Sequence, residues 1–181
     1  MNSNAGFGKI EIHIPEFNIG MMGYGHSKNI AKTQSTPLYS RALILEQNTS
    51  TQKSIIGFCV VEICFISMAM KDAVIHVLKK KIPEVTWDYH NLVLSAQHTH
   101  SAPGGYTHYP FWNFTIPGFR PKTFNAIKNA IVESLCQAYA AKESAQFEFG
   151  THLIDEKIPV AFNRSIPLLK IILNIQMHFL V

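Results

Sequence analysis

The stretch Gln97-His98-Thr99-His100-Ser101-Ala102-Pro103-Gly104-Gly105 concentrates residue types that do chemistry. Two imidazoles separated by one residue project from the same side of an extended backbone. They could share one metal ion, or one could bind the metal while the other moves protons. Ser101, Pro103, Gly104 and Gly105 predict a tight turn directly behind the pair. Its two glycines would leave room for a metal, a water or a substrate to approach the backbone. A catalytic zinc takes three protein ligands and keeps one open position, and nothing in the chain matches HExxH. The pair by itself therefore leaves a second reading open, in which His98 and His100 cap a strand and bond backbone carbonyls. Arg164, within Asn163-Arg164-Ser165, is the other residue of interest: its planar fork could orient a carbonyl or an anionic group, or it could be solvated or salt-bridged. The remaining histidines read as ordinary polar residues.

Positioning these groups falls to the elements around them. Ile10, Ile12 and Ile14 alternate with Glu11 and His13, the period of a half-buried strand. Residues 39–46 (YSRALILE) read as another strand, and residues 55–66 (IIGFCVVEICFI) as one buried on both faces. A helix over 67–81 closes before Pro83, with Lys79, Lys80 and Lys81 complementing its C-terminal dipole. Residues 91–97 form a strand that runs straight into His98. The connection that follows is far longer than the usual ~4–6 residues, as functional loops often are. A second helix begins near Pro121, with Phe124, Ile127, Ile131, Leu135 and Ala138 along one face. Residues 145–152 read as a closing strand. This order predicts βαβ units in an α/β fold, a mostly parallel or mixed sheet with flanking helices. Ligands of such sheets bind beyond the carboxyl ends of the strands, where the loop from His98 begins. Arg41, among apolar strand residues, is expected to need a buried partner, and Glu62 must be paired or protonated. Arg41 with Glu62 is one pairing.

The 181 residues are 47% hydrophobic and 15% charged, enough for one domain with a core and a surface partly covered by something else. The net charge of +4 comes from scattered basic residues, and no recognisable binding module accompanies them, which excludes nucleic acid as the expected partner. Cys59, Cys64 and Cys136 are odd in number and lack CxxC spacing, so they read as buried thiols and not as a disulfide or cysteine–metal framework. No run reaches the ~18–20 apolar residues of a membrane span. The N-terminus lacks the charged and apolar regions of a signal peptide, so the chain as written is expected in the cytoplasm. Residues 166–181 are mostly apolar with no polar cap, an edge that invites aggregation.

Five segments, in order, resemble the neutral (non-lysosomal) ceramidase family. They are Gly6-Phe7-Gly8-Lys9-Ile10-Glu11-Ile12, Gly20-Met21-Met22-Gly23-Tyr24-Gly25, Ser40-Arg41-Ala42, the HTHSAPGG stretch from His98 to Gly105, and Phe162-Asn163-Arg164-Ser165. The resemblance implies an incomplete portion of a larger zinc-amidase domain, with Zn2+ as cofactor and ceramide or a related N-acyl sphingolipid as substrate. It implies that His98 is a zinc ligand, that His100 assists substrate or transition-state binding beside the metal, and that Arg164 positions the substrate. Tyr106, Tyr109, Phe111, Trp112 and Phe114 could form an apolar lip for a lipid chain, or pack as local core. Members of that family are several times longer, and are often secreted or membrane-associated, which makes peripheral membrane contact an expectation. They carry further zinc ligands (a second His, a Glu and a Tyr) downstream. Residues 1–165 are therefore expected to be the N-terminal part of the catalytic domain and 166–181 a divergent tail read through from a frameshift or broken gene. A chain so truncated, missing the C-terminal part of the enzyme, is expected to be inactive alone. A non-catalytic remnant or binding domain, and a metallohydrolase of non-lipid amides, are the alternatives.

Overall fold

The computed structural model describes residues 2–154 apart from Tyr24, Phe114, Thr115 and Pro117. Arg164, the 165/166 boundary and the apolar tail lie outside the described residues. The chain divides into two units, Met1–Phe147 and Glu148–Val181, and the sheet, the helices and the site described below lie in the first.

The strands are β1 (Asn2–Glu11), β2 (Ile19–Gly20), β3 (Ile30–Ala31), β4 (Tyr39–Asn48), β5 (Lys53–Val61), β6 (Leu92–Ala96) and β7 (Glu143–Ser144). The helices are α1 (Met68–Lys81) and α2 (Pro121–Ala140). Five strands form one mixed sheet in the order β6-β5-β4-β1-β7, and β2 pairs with β3 apart from it. Of the sequence alternatives it is the mixed sheet that forms. β4 returns to β5 through the turn at residues 49–52, where Thr49 Oγ1 accepts from the Gln52 amide at 2.9 Å. So short a connection permits only an antiparallel pair, since a parallel crossover needs a dozen or more residues. β5 and β6, joined through α1, do run parallel.

α1 begins where the sequence predicts, with Ser67 Oγ accepting from the Met70 amide at 3.2 Å and three lysines in its last turn. α2 starts on Pro121 and buries Phe124, Ile127, Ile131, Leu135 and Ala138. It lies directly on the backbone of β1, because Gly6 and Gly8 present no Cβ to it. A Cβ on either would stand 2.0 Å from a carbonyl oxygen of α2. Ser134 of α2 also bonds Ser40 of β4 at 2.9 Å, and Ser40 lies 3.1 Å from the Cys59 thiol of β5, so a buried polar link joins the helix to the sheet.

Three expectations change. β5 ends at Val61 and is buried on one face only, because the helices cover a single side of the sheet. On the other side Phe7, Leu43, Phe58 and Val93 stand in register across four strands, with Phe7 72% exposed. Residues 145–152 form no strand; only Glu143–Ser144 pair, with Asn4 and Ala5 of β1. Arg41 does pair with Glu62, at 2.5 Å, but its side chain is 44% exposed. That makes it a surface ion pair, worth ~0–1 kcal/mol.

The sheet also holds a buried charge. Glu46 of β4 is 5% exposed and takes Lys142 at 2.5 Å, Lys53 at 2.9 Å, Asn48 at 3.0 Å and Asn4 at 3.1 Å. Burial pushes its carboxyl up, but these four donors outweigh burial and bring its pKa down to about 2. A carboxyl lowered on folding contributes stability above its unfolded pKa of ~4.3, and loses it as pH falls through the folded value. Glu46→Gln is expected to cost about 2 kcal/mol at pH 7 and much less near pH ~2. Urea midpoints at the two pH values test this, and an equal loss at both would refute it.

Candidate metal centre

Because β5 and β6 are parallel, their carboxyl ends emerge side by side. Cys64 follows the end of β5 and His98 the end of β6, which brings together two residues 34 apart in sequence. His98 takes a left-handed backbone conformation (φ +62°) that turns its ring back toward the β5 end. Its Nδ1 lies 2.8 Å from the Cys64 carbonyl oxygen. A ring nitrogen facing a carbonyl carries the hydrogen, so the lone pair of the neutral ring is on Nε2. That Nε2 points at His100 Nε2, 3.2 Å away, with the rings edge to face at 4.8 Å between centroids.

His100 is held in turn by Gly23. The Gly23 backbone has φ +118°, and a Cβ there would lie 2.4 Å from the imidazole, so only glycine leaves this space to the ring. The segment that carries Gly23 is fastened to the loop behind the histidines. Met21 bridges Pro103, and the Gly104 amide donates to the Gly20 carbonyl at 2.9 Å. Gly104 therefore does not keep space for a ligand as its sequence context predicts. A Cβ there would stand 2.1 Å from Ile116, so its missing side chain serves packing, and the glycine that opens the site is Gly23.

Cys64 is the residue sequence reasoning missed. Its thiol lies 3.7 Å from His98 Nδ1, and burial pushes its pKa up. One donor atom from each of Cys64, His98 and His100 falls within 4.8 Å of the others. The donors suit a metal such as zinc. Nitrogens bound at 2.0–2.1 Å in a tetrahedron lie roughly 3.3–3.4 Å apart, close to the separation of the two Nε2 atoms. The His98–carbonyl bond is also the kind of outer contact that fixes a ligand's tautomer and orientation. No sequence signal marks Cys64, because only the parallel pairing of β5 with β6 brings it to His98.

All three donors open on a cavity of about 890 Å3, whose wall includes Phe65, Ile66, Met68, Tyr109, Phe111 and Trp112. The aromatic run splits between lip and core. Tyr109, Phe111 and Trp112 are 45%, 79% and 53% exposed. Tyr106 is fully buried, and its hydroxyl accepts from the Phe65 amide at 3.2 Å; burial keeps that phenol neutral by raising its pKa. Phe65 stacks between Tyr106 and Trp112 at 5.8 and 5.3 Å. Phe114 and Arg164 lie outside the described residues. The structure thus brings His98 and His100 together as the sequence predicts and adds Cys64 to them.

Known proteins share this arrangement of chain. The family described as "Neutral/alkaline non-lysosomal ceramidase, N-terminal" matches residues 4–167. The neutral ceramidase of Pseudomonas aeruginosa is 34% identical over 146 residues, which are 81% of this chain and 21% of that protein. The neutral ceramidase of Mycobacterium tuberculosis is 31% identical over 154 residues, 82% of this chain and 24% of that protein. The crystal structure of the Pseudomonas aeruginosa enzyme superimposes with a TM-score of 0.74 at 33% identity, covering 80% of this chain and 22% of that one. A ceramidase complexed with C2 superimposes with a TM-score of 0.73. This chain spans about a fifth to a quarter of the length of the relatives it matches, and it belongs to the neutral/alkaline non-lysosomal ceramidase family.

Proposed function

We propose that this chain is the N-terminal part of a zinc-dependent amidohydrolase that cleaves the N-acyl amide of ceramide, or a related N-acyl sphingolipid, to sphingosine and a fatty acid. The observation that carries the reading is the approach of His98 Nε2 and His100 Nε2 to 3.2 Å at the wall of a large cavity lined by aromatic residues. His98 and His100 would hold or border the zinc, which when bound polarises a carbonyl and acidifies water toward a pKa of ~7. His98, fixed by the Cys64 carbonyl, presents its Nε2 lone pair. His100, within hydrogen-bond reach of the same atom, holds or moves a proton beside the scissile amide. Phe111, Trp112 and Met68 offer apolar surface to the lipid chains, and the exposure of Phe111 and Trp112 supports peripheral contact with a membrane, where amphipathic aromatic rings settle at the interface. Arg164 takes the part of a substrate-positioning residue. Assayed by itself, the segment is expected to be inactive, because His98 and His100 supply fewer than the three protein ligands that a catalytic zinc takes.

The test is a chimera in which residues 4–167 replace the matching segment of the Pseudomonas aeruginosa enzyme. We expect it to release fatty acid from a fluorescent N-acyl sphingosine in detergent micelles. A folded, zinc-loaded chimera that cleaves soluble acyl amides and leaves ceramide intact would overturn the lipid assignment. Cleavage of neither would favour a non-catalytic binding domain.

A further inference from the structure

We propose that Tyr106 is a positioning residue for His98: its buried hydroxyl holds the peptide unit whose carbonyl fixes the His98 ring, so that the Nε2 lone pair keeps its aim. The inference rests on the reading above only in taking His98 as the group whose aim matters. The carbonyl that faces His98 Nδ1 at 2.8 Å belongs to Cys64. The amide that donates to the Tyr106 hydroxyl at 3.2 Å belongs to Phe65. These are the two ends of one peptide group, which is planar and rigid, with its C=O and N–H pointing in opposite directions. The group is therefore clamped between the imidazole on one side and the phenol on the other, and a rotation that breaks one bond breaks both.

No sheet ladder holds this peptide. The register of β5 with β6 ends at Val61 and Ala96, and α1 does not begin until Met68. Tyr106 supplies the missing anchor from a fixed place. It is fully buried. On its N-terminal side the Gly104 amide donates to the Gly20 carbonyl at 2.9 Å, and the Gly105 carbonyl accepts from the Arg120 amide at 2.7 Å. The same short stretch of chain carries His100 at its start, so the hydroxyl ties the loop of one histidine to the strand end that orients the other. Without that oxygen the Phe65 amide would be buried and unpaired, a state that a peptide leaves by turning toward another acceptor. Turning it takes the Cys64 carbonyl away from Nδ1, and the neutral ring then exchanges its hydrogen between the two nitrogens. The rival anchor is the Phe65 ring, stacked between Tyr106 and Trp112 at 5.8 and 5.3 Å.

The test is nuclear magnetic resonance of the imidazole nitrogens in the full 181-residue chain, metal-free and at a pH where imidazoles are neutral. The His98 signals are identified by their loss in His98→Asn. Wild type is expected to show one His98 tautomer, with the hydrogen on Nδ1, and a protected Phe65 amide. Tyr106→Phe should keep the far-ultraviolet circular dichroism, give a mixture of tautomers at His98, and speed exchange of the Phe65 amide roughly tenfold or more. Phe65→Ala keeps the N–H and should keep the wild-type tautomer. A single Nδ1–H tautomer in Tyr106→Phe would overturn the inference, as would a freely exchanging Phe65 amide in the wild-type chain. The same mixture in Phe65→Ala would assign the role to ring packing, and an unfolded Tyr106→Phe would make the hydroxyl a requirement of the fold; either result overturns it. Neither zinc nor ceramide enters the measurement, so its failure leaves the amidase reading standing, and an inactive chimera leaves the tautomer result standing.

Discussion

Gly8→Ala is expected to unfold the chain or leave it barely stable, an effect that among the described glycines only Gly6 matches in the closeness of its backbone clash. A Cβ at position 8 would stand 2.0 Å from the Ser134 carbonyl oxygen, 2.9 Å from the Ala138 amide nitrogen and 3.0 Å from the Ser134 carbonyl carbon. All three are backbone atoms of α2, so no side chain can swing aside. The helix would have to lift off β1, which separates Phe124, Ile127, Ile131 and Leu135 from the core and breaks the Ser134–Ser40 link. Ordinary overpacking costs ~1–3 kcal/mol. A backbone clash that unseats a whole helix belongs to the rarer class above ~4 kcal/mol, against a total stability of ~5–15 kcal/mol for a domain. Gly150→Ala is the control: nothing lies within 4 Å of its Cβ, and it should change stability by less than ~0.5 kcal/mol. Urea unfolding of the three proteins decides the matter, and a wild-type midpoint for Gly8→Ala would mean that α2 does not sit on β1 as described.

His98→Asn is expected to weaken zinc or cobalt binding by about a hundredfold or more while leaving the fold intact. The substitution is chosen for its backbone. Position 98 has φ +62°, and asparagine is among the non-glycine residues that best tolerate this region. Its amide can still donate toward the Cys64 carbonyl that His98 Nδ1 bonds at 2.8 Å. What it lacks is Nε2, the lone pair aimed toward His100. Second-contact residues change metal affinity by ~10–100-fold, so loss of a ligand itself should lie at or beyond that range. The measurement is competition against a chromophoric chelator, with thermal unfolding of the metal-free proteins run beside it. Unchanged affinity would show that His98 is no ligand. Lost affinity with lost stability would assign it a structural role instead.

Local pattern carried much of this architecture. The helix over 67–81 with its terminal lysines, the proline opening α2 and the buried stripe from Phe124 to Ala138 depend on residues near one another in the chain, and each element formed where those signals stand. The runs at 39–46 and 91–97 that read as strands formed β4 and β6 close to those bounds. Strand ends were less legible: β1 starts at Asn2, in polar sequence, because it pairs with β4 along its whole length. β5 stops at Val61 although the apolar run continues to Ile66, since the chain must leave the sheet there to begin α1. The closing strand expected at 145–152 did not form; the residues that pair with the free edge of β1 are Glu143–Ser144, just before it.

The sequence by itself determined that His98 and His100 lie together in one loop, because HxH beside a Pro-Gly-Gly turn is a local statement about which residue types share it. It also placed that loop at the end of a strand, and the five ordered segments pointed to the right family. Only the tertiary structure decided what surrounds the pair. Cys64 reached His98 through a parallel pairing of strands far apart in sequence. Gly23 made room for the His100 ring by long-range packing, and Gly104 turned out to serve Ile116 instead. The two glycines of β1 acquired their importance only when α2 came down on them. Each of these contacts joins residues that local propensity cannot connect, so they were set when the sheet order and the helix seating were set.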